Sequence, residues 1–211
     1  MGQLRGAVIP VTPFQQNCAI LWDDETMAAL VVDPGGDVDR ILAAIEQCKV
    51  SVERILLTHG HLDHAGGAAA LAEALSVPVE GPDIRDKFLL DGIAAQAASY
   101  GFEAGNCSPD RWLTEGESVS LGEHRFDILH CPGHTPGHLV YVNHAARFFL
   151  AGDVLFQGSV GRTDFPYGDT AALIGAIKTK LLPLGDDFSF LCGHGPGSSI
   201  RAERVGNPFL R

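Results

Sequence analysis

The chain has no run of lysine or arginine, no long apolar stretch and no paired cysteine spacing, and each absence removes a class of function. With 15 Lys and Arg against 26 Asp and Glu, a formal charge of -11 repels nucleic-acid phosphates and anionic lipid, and no local basic cluster reverses it. No apolar run approaches the roughly 18 residues that a bilayer-spanning helix needs, and the opening residues Met1 to Gly6 lack the apolar centre of a secretory signal. The expectation is a soluble, cytoplasmic protein with no nucleic-acid or membrane partner; nothing in the sequence speaks to its oligomeric state. Cys18, Cys48, Cys107, Cys131 and Cys192 are odd in number and show no CxxC, so they read as reduced, packed thiols rather than as disulfides or a cysteine zinc site. A Gly-x-Ser-x-Gly elbow is missing, and Asp33-Pro34-Gly35-Gly36 lacks the full dinucleotide-binding glycine pattern. Serine-nucleophile and nicotinamide chemistry both lose support.

What is present is 211 residues with 45% hydrophobic content, enough for one compact domain over 1–211. β-rich runs at 7–11, 17–22 and 28–32 predict an antiparallel meander. Val38, Ile41, Leu42 and Ile45 fall at helical spacing within 38–48, Ile55-Leu56-Leu57 is a buried strand, and 65–75 is an alanine-rich helix. Helical character over 83–100 is broken by Gly92. The second half repeats the style, with strands at 126–129, 139–142, 148–150 and 188–191, a helix over 169–182 and a short helix after Gly197. Two sheets with helices outside follow; periodicity alone supports α/β or α+β.

The decisive stretch is Thr58-His59-Gly60-His61-Leu62-Asp63-His64, which follows the buried strand and precedes a helix. Three imidazoles and a carboxylate within six residues would each need a separate buried hydrogen-bond partner if no cation were present, at a cost of several kcal/mol for each one left unpaired. In extended backbone His59, His61 and Asp63 share a face while His64 points elsewhere, which suits two neighbouring metals better than one. His134 in Pro132-Gly133-His134, Asp153 in Ala151-Gly152-Asp153 and His194 in Cys192-Gly193-His194 each follow an apolar strand in a glycine-containing turn. Taken singly, Asp153 reads more readily as a turn or capping residue and His194 equally well as either; the recurrence of context favours ligation. Two divalent cations against two aspartates and a hydroxide would leave about one surplus positive charge to stabilise an oxyanion. Hydrolysis of a carbonyl ester or thioester by water activated at neutral pH is the expected chemistry, with Asp63 or solvent handling the proton.

These motifs resemble the metallo-β-lactamase superfamily. The resemblance implies an α+β fold, the αββα four-layer sandwich, with metals at one edge between the sheets. It assigns His59, His61 and His134 to one metal, Asp63, His64 and His194 to the other, and Asp153 as the bridge. Asp33 would orient a ligand from behind, as would His138, whereas His124, His130 and His144 read as surface or packing residues. Gln16-Asn17-Cys18, Gly161-Arg162-Thr163-Asp164-Phe165-Pro166 and Asn207-Pro208-Phe209-Leu210 further resemble short bacterial glyoxalase II-like proteins. That likeness implies a thioester substrate such as S-D-lactoylglutathione and a role in methylglyoxal detoxification, without the C-terminal helical domain that supplies glutathione contacts in full-length glyoxalase II. Zinc is the favoured metal, with iron or manganese compatible. Arg162 would contact an anionic substrate group or else pair with Asp164. The Gly-Arg-Thr-Asp-Phe stretch also resembles persulfide dioxygenases, which would use one Fe(II) on His59, His134 and Asp153; lactone and ester hydrolases share the metal motif.

Overall fold

The computed structural model describes residues 2–101 and 103–211. The expected meander forms from β1 (Leu4–Val11), β2 (Gln16–Asp23) and β3 (Ala28–Val32), paired antiparallel. Helix α1 (Val38–Cys48) then crosses over to β4 (Ser51–Leu56), which runs parallel to β3. Ile41 and Ile45 are buried beneath α1, and the helix ends where Lys49 turns left-handed, its N–H meeting the carbonyls of Ile45 and Glu46. Two helices, α2 (Leu62–Ala65) and α3 (Ala68–Leu75), replace the single helix expected over 65–75. The break falls at Gly66-Gly67, where the Gly67 N–H leaves the helical ladder and donates to the Pro34 carbonyl at 2.9 Å. Strand β5 (Val79–Glu80) extends the sheet parallel to β4, and α4 (Lys87–Leu90) and α5 (Ile93–Ser99) follow, separated at Gly92 as expected.

The second sheet contains β6 (Ser118–Leu121), β7 (His124–His130), β8 (Leu139–Asn143) and β9 (Phe148–Gly152), all antiparallel. A small hairpin, β10 (Leu155–Phe156) with β11 (Ser159–Val160), leads to α6 (Thr170–Ala176), whose last turns widen and then tighten through Leu184. Strand β12 (Ser189–Cys192) returns parallel to β9; β13 (Ser198–Ser199) and α7 (Ile200–Gly206) close the chain.

Three cores separate the layers. Cys18, Ile20, Ala29, Val31 and Ile55 face α1, α3 and α5, while their neighbours Ala19, Leu21, Leu30, Val32 and Leu56 face the second sheet. Across that middle core stand Phe126, Ile128, Leu139, Tyr141 and Leu150, whose alternates Val140, Val142, Phe149 and Ala151 pack against α6. Burial on both faces explains why these strands are apolar throughout instead of alternating with polar residues. The result is the αββα sandwich. Because β3 runs parallel to β4 and β9 parallel to β12, the turns that follow them gather at one edge. Among the described residues no helix is long and apolar enough to cross a membrane.

Candidate metal centre

Strand ends bring the predicted residues to that shared edge. Asp33 follows β3, His59 to His64 follow β4, His134 and His138 lie in the turn between β7 and β8, Asp153 follows β9, and His194 follows β12. An antiparallel bridge between Gln16 and His194, with the Asn17 N–H on the Gly193 carbonyl at 2.7 Å, ties the first sheet to the second beside them.

Three groups of three residues offer donor atoms that all lie within 4.8 Å of one another: His59, His61 and His134; Asp63, His64 and His194; and Asp33, His59 and His64, in the last of which Asp33 Oδ2 is already engaged by the Thr58 hydroxyl and His64 Nδ1. Asp63 does not share a face with His59 and His61, as extended backbone would require. The chain enters α2 at Leu62 with His61 at its N-cap, and the helical turn swings Asp63 toward His64 and His194. Asp153 lies between the first two groups, its Oδ2 3.6 Å from His134 Nε2 and 3.7 Å from His194 Nε2, its Oδ1 3.4 Å from His64 Nε2.

Each histidine in the first group turns one nitrogen outward onto a partner and one inward. His134 Nδ1–H donates to the Arg162 carbonyl at 2.8 Å. His59 Nδ1–H donates to Thr58 Oγ1 at 3.0 Å, since that hydroxyl spends its own hydrogen on Asp33 Oδ2 at 2.6 Å. His61 Nε2 meets the Tyr167 hydroxyl at 2.9 Å. Inside, His61 Nδ1 lies 3.0 Å from both His59 Nε2 and His134 Nε2. One imidazole nitrogen donates at most one proton, so at least one lone pair here has no hydrogen to meet.

The second group is built the same way. His64 Nδ1–H donates to Asp33 Oδ2 at 2.9 Å and His194 Nδ1–H to the Phe14 carbonyl at 3.2 Å, which aims both Nε2 atoms at carboxylates. His64 Nε2 and Asp153 Oδ1 are buried and make no hydrogen bond among the described residues. Converging lone pairs and carboxylate oxygens, with every outward N–H anchored, are the donor chemistry that fits divalent cations.

Charge follows the same division. Burial holds His59 well below the usual imidazole range and lowers His61 to about 3, with the neighbouring imidazoles adding to the effect. Burial works against ionisation of His64 too, but Asp153, Asp63 and Asp33 outweigh it and hold that ring well above the usual value. For Asp153, burial is overcome by His64, His134 and His194, and its carboxyl stays well below the carboxylate range.

The remaining predictions fare unevenly. His138 stacks on His59 with ring centroids 4.6 Å apart and accepts the Asp153 N–H on Nε2 at 3.0 Å, so it fixes the turn that carries Asp153. The Arg162 guanidinium pairs with Asp164 through two bonds of 2.7 and 2.8 Å and lies over the Phe165 ring; the residue also lines the cavity beside the ligands, and its backbone carbonyl anchors His134. His130 accepts no ligand role and contacts the Pro136 carbonyl, and His144 is exposed beside Asp127. His124 is a packing residue: it is buried, with Nε2 2.9 Å from Asp23 Oδ2, joining the two sheets far from the centre. Thr58, Tyr167 and Asp86 were invisible to sequence reasoning, since each is one ordinary polar residue whose role depends on a distant partner.

Asp63 (23% exposed) and His194 (29%) open onto a cavity of about 440 Å³ walled by Phe14, Tyr100, Phe156 and Phe165. A second cavity of about 670 Å³ adjoins it at Phe14, Leu62 and Asp63.

Such a centre at the edge of an αββα sandwich defines a class of metallo-hydrolase, and the chain belongs to the metallo-beta-lactamase superfamily, whose family model matches residues 11–194. Within it the chain is glyoxalase II-like. It is 48% identical over 205 residues to hydroxyacylglutathione hydrolase GloC of Haemophilus influenzae, covering 96% of each chain. Among solved structures, the BLEG-1 B3 metallo-beta-lactamase superposes with a TM-score of 0.89 at 34% identity, covering 98% of this chain and 99% of that one. TTHA1623, solved in a di-iron-bound form, superposes with a TM-score of 0.87 at 36% identity, covering 97% and 100%.

Proposed function

We propose that this enzyme hydrolyses hydroxyacyl thioesters, S-D-lactoylglutathione or a close relative of it, with two divalent ions held by His59, His61 and His134 and by Asp63, His64 and His194, and with Asp153 shared between them. The observation that carries the reading is the inward orientation of the histidine nitrogens in both groups, each enforced by an anchored outward N–H. Bound there, the ions would supply Lewis acidity, lowering the pKa of water toward ~7 and polarising a carbonyl.

The protein's own groups divide the remaining work. Asp63, held below the usual carboxylate range because His64 and His194 outweigh its burial, is ionised at neutral pH and available to take up a proton at the cavity wall. Aromatic rings at 14, 100, 156 and 165 give the cavity apolar wall beside the ligand residues. Cys131 and Cys192 do not compete as nucleophiles, because burial pushes their thiols up to about 12 and about 11. Zinc is the preferred occupant; mixed imidazole and carboxylate donors also accept iron, the metal in the TTHA1623 structure. The GloC likeness supports a hydroxyacylglutathione as the substrate; disposal of methylglyoxal-derived thioesters in the cytosol is the role that the glyoxalase II-like motifs of the sequence imply.

Thiol release from S-D-lactoylglutathione by metal-reconstituted protein tests the reading. Wild type is expected to turn over, and Asp153→Asn to lose most of its turnover while remaining folded. Full activity of Asp153→Asn with both metals retained would overturn the assignment.

A further inference from the structure

His61 and His134 come from different sheets, yet His61 Nδ1 and His134 Nε2 stand 3.0 Å apart. Something must hold the turn after β4 at a set distance from the turn between β7 and β8. One buried carboxylate touches both. Asp86 Oδ2 accepts the Gly60 N–H at 2.9 Å and the Thr135 hydroxyl at 2.7 Å, and Oδ1 accepts the Gly137 N–H at 2.5 Å. Gly60 lies between His59 and His61, Thr135 follows His134, and Gly137 precedes His138.

We propose that Asp86 is a positioning residue that sets the spacing of the His59, His61 and His134 group, acting as a rigid spacer between the two turns. Both glycines are shaped to it. A Cβ at Gly60 would meet the Asp86 carbonyl at 3.0 Å and its Cβ at 3.3 Å, and a Cβ at Gly137 would meet the Asp86 N at 2.7 Å and Cγ at 2.8 Å. Asp86 lies in the short turn Ile84–Asp86 at the start of the central helical region, and the Asp83 N–H donates to the Gly137 carbonyl at 3.1 Å, so the spacer is braced at its own base. None of its three bonds reaches Asp63, His64 or His194. The carboxylate uses both oxygens to accept from three donors. An amide offers one oxygen and presents its own N–H groups to the other donors, so Asp86→Asn breaks the spacer without changing its size.

The inference rests on the two-metal reading proposed above, and its test separates the two. Cobalt(II) titration of the wild type, with chelator competition, reads the number of sites and their affinities; failure to bind two equivalents would sink the two-metal reading itself. With two sites in the wild type, Asp86→Asn is expected to weaken the all-histidine site by about 10–100-fold, the range for loss of a group that orients a ligand, and to leave the carboxylate-containing site within about threefold. The absorption bands of the two cobalt sites tell them apart. Thr135→Val, which removes one of the three bonds, should fall between, and it serves alone if Asp86→Asn does not fold. Ile45→Ala, a destabilising change in the core under α1, should leave both affinities unchanged. Equal weakening of both sites, no weakening of either, or the same loss in Ile45→Ala would overturn the proposal.

Discussion

Asp33 Oδ2 accepts the Nδ1–H of His64 at 2.9 Å, and that bond decides which nitrogen of His64 faces the metal centre. The same carboxylate takes the Thr58 hydroxyl at 2.6 Å and, through Oδ1, the Thr58 N–H at 2.7 Å; the hydroxyl in turn accepts from His59. Asp33 thus fixes one ring in each histidine group. It does so from a left-handed backbone position, φ 52°, which aspartate tolerates better than most residues. Asp33→Asn is therefore expected to weaken both metal sites together, by about 10–100-fold. It should also cost about 1–3 kcal/mol of stability, because an amide N–H must then face a buried donor. Chelator competition and denaturant melts measure the two effects; loss at one site only would contradict this account of Asp33.

Tyr167 should behave differently. Its hydroxyl meets His61 Nε2, and the ring is also held by stacking on Phe165 and an edge contact with Phe88. Tyr167→Phe keeps the packing and removes the bond. Weakening of the all-histidine site toward the lower end of the roughly 10–100-fold range is expected, with stability changed by no more than about 1 kcal/mol. Cobalt titration beside a thermal melt checks both.

The imidazoles dictate how stability varies with pH once metal is stripped. His59, His61, His134 and His138 are depressed, chiefly by burial, with His61 at about 3. A depressed imidazole binds fewer protons folded than unfolded, so its stability is present above about 6.5 and lost as pH falls toward the folded value. His64 and His194 are raised, because their carboxylate partners outweigh burial. Their stability is complete below about 6.5 and lost as pH rises through the folded value. Chelator-treated protein is therefore expected to be most stable near pH 6.5, to fall steeply toward pH 4.5 and to fall more gently toward pH 9. Added zinc should stabilise more at pH 8 than at pH 6, since ligation displaces the protons on His64 and His194. Melts across this range decide the matter, and a monotonic rise from pH 4.5 to 9 in chelator would contradict it.

Arg162→Ala tests whether that side chain recognises substrate. Its guanidinium is already paired with Asp164 at the exposed surface, and the carbonyl that anchors His134 survives the substitution. kcat/KM is expected to stay within about fivefold of wild type; a much larger loss confined to KM would place an anionic substrate group on Arg162.

The ligand-type residues at 59, 61, 63 and 64 were legible because four of them crowd one short stretch, and those at 134, 153 and 194 because each repeats the same strand-to-turn context. Their grouping was less legible. Alternation along an extended chain places Asp63 with His61, and only the onset of α2 at Leu62 moves it to His64. The residues that hold the ligands were hidden by sequence distance: Tyr167 lies 106 positions from His61, and Asp86 lies 26 from Gly60 and 51 from Gly137. For the fold, strands such as β3 and β8 announced themselves through continuous apolar runs, whereas β5, β10, β11 and β13 are two residues long and carry no period to read.

Metal content and turnover measured on one sample bear most directly on the central claim. Protein reconstituted and freed of loose metal should hold two equivalents of divalent ion and release thiol from S-D-lactoylglutathione without consuming oxygen. One equivalent of iron, with oxygen uptake on glutathione persulfide and no thioester hydrolysis, would contradict it.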